Sequence, residues 1–271
     1  MSTNTLVQEQ PTLRPFDHPL LVIERILRDT NGIWEQIHSE FRLHALIVQM
    51  LTSSAVALAF YGAVLGFSNG FLQAFSSAIK LPVLFLLTLA ICLPTLYLFN
   101  LVFGSRLSVS QTLGLILVAI TVTAVLTLAF APISLFFLIT AQNYGFFKLL
   151  NVIILSLTGF IGLGFLVKGM HSLNRLSKGM YEHLPAQPVP VAASTDIAAL
   201  PATPVPPAAP RENMLLLYIW ILLYSFVGTQ LAWTLRPFFG DPNLPFQIFR
   251  QMEGNFYSNV FQTFFWLLVG G

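Results

Sequence analysis

The run KLPVLFLLTLAICLPTLYLFNLVFGSR, from Lys80 to Arg106, is apolar for most of its length and carries a cation at each end. As a helix, residues 81 to 98 rise about 27 Å at ~1.5 Å per residue, close to the ~30 Å hydrocarbon core of a bilayer. The run is therefore read as a membrane span, and the rest of the chain is organised around segments like it. Of 271 residues, 55% are hydrophobic and only 9% charged, with a mean hydropathy of +0.75. A soluble domain carries about a quarter of its residues as charges, so most of this chain is expected to lie in lipid.

The formal charge of +2 is too small to imply a nucleic-acid partner, and the basic residues sit beside apolar runs, where topology signals belong. A single cysteine, Cys92, excludes an intramolecular disulfide and a cysteine-based metal cluster. It is read as a small packing residue.

Working back from the opening run, residues 45 to 67 form the first span. Gly62, Gly66 and Gly70 recur there at four-residue spacing, which lets backbones approach closely, either within the bundle or for self-association. The opening run is the second span. Pro82 falls in its first turn, whereas Pro94 lies deep inside and is expected to kink the helix as a candidate hinge. The third span runs from Gln111 to Phe130, meets Pro132, a second candidate hinge, and continues to Thr140 as a broken or overlong helix. The fourth runs from Phe146 to Val167.

Before these spans the first 15 residues lack a basic n-region and a following cleavage pattern, so no cleavable signal peptide is expected. Leu20, Leu21, Ile23, Ile26 and Leu27 alternate helically with Glu24, Arg25, Arg28 and Asp29, and Asn31-Gly32 reads as a stop. A second amphipathic piece, residues 33 to 43, turns Trp34, Ile37 and Phe41 away from Glu35 and Glu40. The pair is expected either at the membrane interface or packed beneath the bundle.

After the fourth span, residues 171 to 212 read as a Pro/Ala-rich disordered cytoplasmic linker that cannot bury a core. Residues 214 to 235 form a fifth span, ended by Pro237, with turn chemistry at Gly240-Asp-Pro-Asn. Residues 256 to 269 are apolar but short. They are read as a sixth crossing, with partial burial in the interface as the alternative.

The expected architecture is an all-α polytopic transmembrane helix bundle of five or six spans with a short amphipathic amino-terminal region. Its parts are 1–43 (cytoplasmic), 44–170 (four spans), 171–212 (linker) and 213–271 (carboxy-terminal spans and an outward loop). With the amino terminus inside, nine Lys and Arg lie on the inner side and four, Lys80, Lys148, Arg236 and Arg250, on the outer. The bias places the amino terminus in the cytoplasm. A bacterial inner membrane is the expected location.

Chemistry is sparse. The spans hold hydroxyls and amides but no acidic residue, which disfavours proton-coupled transport. The histidines, His18, His38, His44, His171 and His183, lie at or outside the expected cytoplasmic border without metalloprotease spacing, and no phosphate-binding loop or nucleophile elbow occurs. No catalytic, cofactor or metal site is expected. The richest polar and aromatic set near a membrane surface is Gln230, Trp233, Arg236, Asp241, Arg250 and Asn255, with Glu253 beside it. It is read either as a capping ion pair between Arg236 and Asp241 or as a site for a lipid headgroup or protein partner.

From Lys80 to Arg106, then through Ser110-Gln-Thr-Leu and Ala131-Pro-Ile, the layout resembles the Yip1-like superfamily of multispanning membrane proteins over residues 45 to 170. The resemblance implies a cytosolic amino terminus, about five spans, and action in vesicle trafficking through protein partners. Separately, residues 228 to 240 with Gly254-Asn-Phe-Tyr257 are similar to a segment of uncharacterised bacterial membrane proteins. The combined reading is a membrane scaffold or assembly factor working through lipids or other membrane proteins, without catalysis. A small-solute channel or carrier is the alternative, with Pro94 and the Thr-rich third span lining its path.

Overall fold

The structure, a computed structural model, describes residues 20–102, 108–141, 143–182, 214–239, 245–249 and 254–269. Among these residues it is all helical. The first two helices are α1 (Leu20–Arg28) and α2 (Thr30–Ser39). The break between them falls at Asp29 and not at Asn31-Gly32, because the Asp29 carboxylate caps α2 by accepting the Gly32 N–H at 3.0 Å. Glu40, at φ 55°, ends α2, so Phe41 lies beyond it and is exposed. The helix pair packs beneath the bundle: α1 rests on α3 and α5, and α2 on α5 and α7. Trp34, only 3% exposed, is wedged between Gly169 of α7 and the core.

Next come α3 (Leu43–Gly66), α4 (Phe71–Val102), α5 (Val109–Ala129), α6 (Ala131–Thr140), α7 (Tyr144–Glu182), α8 (Met214–Thr234) and α9 (Phe256–Val269). Among the described residues five stretches are long and apolar enough to cross a membrane: Leu43–Asn69, Phe71–Leu98, Val109–Thr140, Tyr144–Ser177 and Leu215–Thr234. They define a multi-pass membrane bundle. In the apolar window of the third stretch 67% of residues are buried, against 11% in the last. So α5 forms the centre, and α8 is a peripheral helix held mainly by α4.

The second span differs from its expected bounds. It begins at Phe71, nine residues ahead of Lys80, so Lys80 lies within the helix and is only 7% exposed. Residues 71 to 79 include Leu72, Ala74 and Ala78, and nothing after Gly70 interrupts a helix there. The α3–α4 contact explains the glycine spacing: a Cβ on Gly62 would fall 2.4 Å from the Ser77 carbonyl oxygen, and one on Gly66 2.4 Å from that of Gln73. The close approach is to a neighbour in the same chain. Gly70, at φ +90°, makes the turn and has open space around it.

α4 is assigned helix throughout, with both Pro82 and Pro94 inside it. The third span does divide, at Phe130, and Pro132 occupies the first turn of α6, where a missing N–H is tolerated. α7 runs on to Glu182, so residues 171 to 182 are helix and not linker, and the basic residues Lys168 and Arg175 ride on it. The remainder of the expected linker, 183 to 212, lies outside the described residues.

The expected sixth crossing is not among the stretches long and apolar enough to span a bilayer within the described residues. α9 has 14 residues, about 21 Å at ~1.5 Å each, too short for a ~30 Å core. Its Asn259 meets Lys148, whereas Thr263 and Leu267 approach Gly145. The helix therefore crosses over the first turn of α7 and does not descend along it.

Candidate functional site

α3 and α4 meet at one end of the bundle, where α6, the start of α7, the end of α8 and α9 also gather; this is called the distal end here. α4 brings Gln73, Ser77 and Lys80 to one face, at i, i+4 and i+7. After α8 the chain folds back over that face. Gln73 donates to the Pro237 carbonyl at 2.9 Å, and Ser77 to the Phe238 carbonyl at 2.7 Å. Lys80 donates to the Ile248 carbonyl and its ammonium stands 4.8 Å from the centre of the Phe249 ring. These bonds explain how an ammonium is tolerated inside an apolar helix: it serves as an anchor for the returning chain.

Beneath this strap lies a cleft of about 470 Å³ among α4, α5, α7 and α8. Its walls are mostly apolar, from Leu81, Phe85, Ile116, Ile120, Leu155 and Leu163. Polar groups collect at the distal end, where Tyr144, Lys148, Arg236 and Asn259 line it. Lys148 donates to the Asn259 amide oxygen, and Tyr144 donates to the Phe239 carbonyl at 3.2 Å. The Arg236 guanidinium lies 3.8 Å from the Trp233 ring centre, and Trp233 Nε1 donates to the Gly254 carbonyl at 3.2 Å. Deeper in, Trp220 Nε1 donates to the Cys92 carbonyl at 2.9 Å, fastening α8 to α4.

Of the residues singled out in sequence, Trp233, Arg236 and the α8 residue Gln230 sit at or near this end. Asn255 has a structural task, accepting the Ser258 N–H at 2.7 Å to cap α9. Asp241, Arg250 and Glu253 lie outside the described residues. Sequence reading missed Lys80, Lys148, Tyr144 and Asn259 as members of the site, because both lysines were read only as topology markers. The polar stripe Gln73, Ser77, Lys80 on an otherwise apolar helix was the available signal.

Interior hydroxyls also form a seam between helices, and one of them, Thr123, borders the cleft. Ser54 and Thr121 are 2.9 Å apart, as are Thr127 and Thr158. Asn151 Oδ1 accepts from Tyr61 at 2.7 Å and from Ser134 at 2.5 Å, tying α3, α6 and α7 together. Thr123 donates to the Ala119 carbonyl at 2.9 Å. These groups satisfy one another and hold helices together.

A second cavity, about 670 Å³, lies at the opposite end between α1, α2 and α7, with Arg28, Asp29, Lys168, His171 and Arg175 on its rim. Among the described residues no group of three His, Cys, Asp or Glu is placed to hold a metal ion.

Fold and cleft together define an all-helical, multi-pass membrane protein with a side chamber that is apolar along its walls and cationic at one end. Compared with protein-family models, with curated proteins and with solved structures, the chain matches none of them.

Proposed function

We propose that this protein is a non-catalytic membrane scaffold or assembly factor that acts through lipid and protein partners. In this reading it is seated in a bacterial inner membrane with its amino terminus in the cytoplasm. The observation that carries the reading is the use made of the interior polar groups. Thr121, Thr123, Thr127, Asn151 and Thr158, which a solute path through the third and fourth spans would need, are hydrogen-bonded to neighbouring helices or to their own backbone. What remains open is the cleft beside α8, mostly apolar with Thr123 among the hydroxyls on its wall, a shape suited to holding a partner and not to passing a hydrated solute. The Yip1-like resemblance points the same way, since members of that superfamily act through partners. The orientation rests on the charge bias of nine Lys and Arg against four.

Flux through liposomes containing the purified full-length protein tests the reading against a channel or carrier. The expected result is no ion or small-solute flux above that of empty liposomes. Solute-selective flux that disappears in Thr123→Val would overturn the scaffold reading.

A further inference from the structure

We infer that α9 is an interfacial helix. It lies along the membrane surface at the distal end, with Phe261, Phe264 and Leu268 inserted among the lipid chains and Ser258 and Gln262 turned to the headgroups and water. The partner on this face is the bilayer itself, and apolar burial without charge holds it there. Neither the scaffold reading nor its failure bears on this placement.

Three observations carry it. First, α9 has three sides. Phe256, Asn259, Val260, Thr263 and Leu267, at i, i+3, i+4, i+7 and i+11, are partly buried and face α7 and α8. Tyr257, Phe261, Phe264 and Leu268, at i, i+4, i+7 and i+11, form a second row that is 50 to 66% exposed. So continuous an apolar row marks a contact with membrane or protein. Ser258 and Gln262, at i and i+4, make an exposed polar side, and Trp266 stands at its border with the protein side. A helix crossing the bilayer gains nothing from a polar side turned to lipid, and a helix in water gains nothing from an exposed apolar row. At an interface both sides are matched. Second, the depth fits. Leu215–Thr234 has 20 residues, about 30 Å at ~1.5 Å each, so α8 just spans the hydrocarbon core and Thr234 marks its distal boundary. The Tyr257 hydroxyl is 3.0 Å from that of Thr229, which lies five residues, or about 7 Å, inside that boundary. Asn259 accepts from Lys148, four residues inside the start of α7, and by Leu267 the helix has reached Gly145. Amphipathic helices at an interface bury their apolar face by about 5–10 Å. Third, the apolar surface is continuous. Leu222, Phe226 and Thr229 follow one another along α8 at i, i+4 and i+7, and the first two are exposed, as lipid-facing residues of a span are. Through the contact between Thr229 and Tyr257 that row runs on into the exposed row of α9. Residues 254 to 269 contain no charged side chain, so nothing on α9 selects an anionic headgroup, and contact with lipid chains holds it.

The test places single nitroxide labels on the full-length protein in dioleoyl phosphatidylcholine vesicles, in a Cys92→Ala background. Phe261→Cys, Phe264→Cys and Leu268→Cys report on the apolar row, Ser258→Cys and Gln262→Cys on the polar side. Paramagnetic resonance reads how often each label collides with oxygen, which concentrates in lipid, and with a water-soluble nickel chelate. Labels at 261, 264 and 268 should meet oxygen more than nickel, and those at 258 and 262 should show the reverse. The contrast should persist at high salt and with phosphatidylglycerol added to the vesicles, because no charge takes part. All five positions are exposed, so the labels leave the packing of the bundle intact. Should Cys92→Ala itself prevent folding, Cys92 is left in place, since its burial keeps it from the label. Nickel dominating at all five positions would put α9 in water. Oxygen dominating at all five would mean that α9 crosses the bilayer. An apolar row closed to both reagents would mean that a second copy or another protein covers it. Each of these results would overturn the placement, as would a contrast that appears only with phosphatidylglycerol present.

Discussion

Gly66 meets α4 backbone to backbone, with the Gln73 carbonyl oxygen 2.4 Å from where a Cβ would stand. Gly159 faces the cleft with nothing within 4 Å. The same substitution should therefore have opposite effects at the two positions. Gly66→Ala forces α3 and α4 apart and should lower stability by about 1–3 kcal/mol, the usual range for overpacking. Gly159→Ala adds helix propensity without a clash and should be neutral or stabilising by up to ~1 kcal/mol. Thermal unfolding in detergent measures both, and equal shifts would contradict the packing. Asn151 illustrates how the interior is specified: one amide oxygen serves the hydroxyls of Tyr61 and Ser134, while its NH₂ donates to the Phe147 carbonyl at 2.8 Å. From sequence these residues are only polar side chains in apolar runs. Their pairing depends on which helices adjoin, and that is set by packing across 90 residues of chain in the case of Tyr61 and Asn151.

At the scale of elements, the α1–α2 pair docks beneath the bundle on α3, α5 and α7. Val22, Ile26, Ile33, Trp34 and Ile37 form its buried stripe; the sequence reading has Ile26, Trp34 and Ile37 on the apolar face but misses Val22 and includes Leu27 and Phe41, which are exposed. Whether the stripe meets lipid or protein is not legible from periodicity. Gly169 decides it, because the missing side chain on α7 makes room for the Trp34 ring, whose Cη2 lies 2.6 Å from the position of a Cβ. Because Leu115 of α5 stands as close to Gly169 as the ring does, the cleaner test is Trp34→Ala, which should undock the pair while leaving the spans assembled. Hydrogen exchange in residues 20 to 39 should rise by at least about tenfold, the consequence of losing ~1.4 kcal/mol of local stability. Unchanged protection there would contradict the docked arrangement. α5 is held differently at its start: Ser108 accepts the Gln111 N–H at 3.1 Å, and Gln111 accepts the Ser108 N–H at 3.0 Å, a capping box. Gln111 also donates to the His38 carbonyl at 2.9 Å, so the same residue links the span to α2.

For the whole molecule, hydropathy alone identified the apolar cores of the five spans, because length and composition are all that crossing a bilayer demands. Bounds were less legible wherever a polar residue was taken as an edge. Lys80 looked like a border and is an internal anchor, since its partner, the Ile248 carbonyl, is 168 residues away. The collar of Lys168 and Arg175 looked like the end of a span and is the continuation of α7. At the candidate site, Trp233 and Arg236 were visible as an aromatic and basic cluster beside a helix end. Lys148 and the apolar chamber were not, because a cavity is a property of how helices diverge and no single segment encodes it.

The claim on which the rest depends is the count of five spans, with α9 lying across the distal end as the roof of the cleft. An odd count puts the two chain ends on opposite sides of the membrane. Cys92 is buried, so a Cys92→Ala background gives a clean starting point for placing single cysteines at Thr3 or at Gly271. Labelling sealed membrane vesicles of known orientation with a membrane-impermeant maleimide then reads the topology directly. The five-span arrangement predicts that the Thr3→Cys and Gly271→Cys variants label from opposite faces. Labelling of both from the same face would mean that α9 crosses the bilayer, and would remove the roof from the cleft.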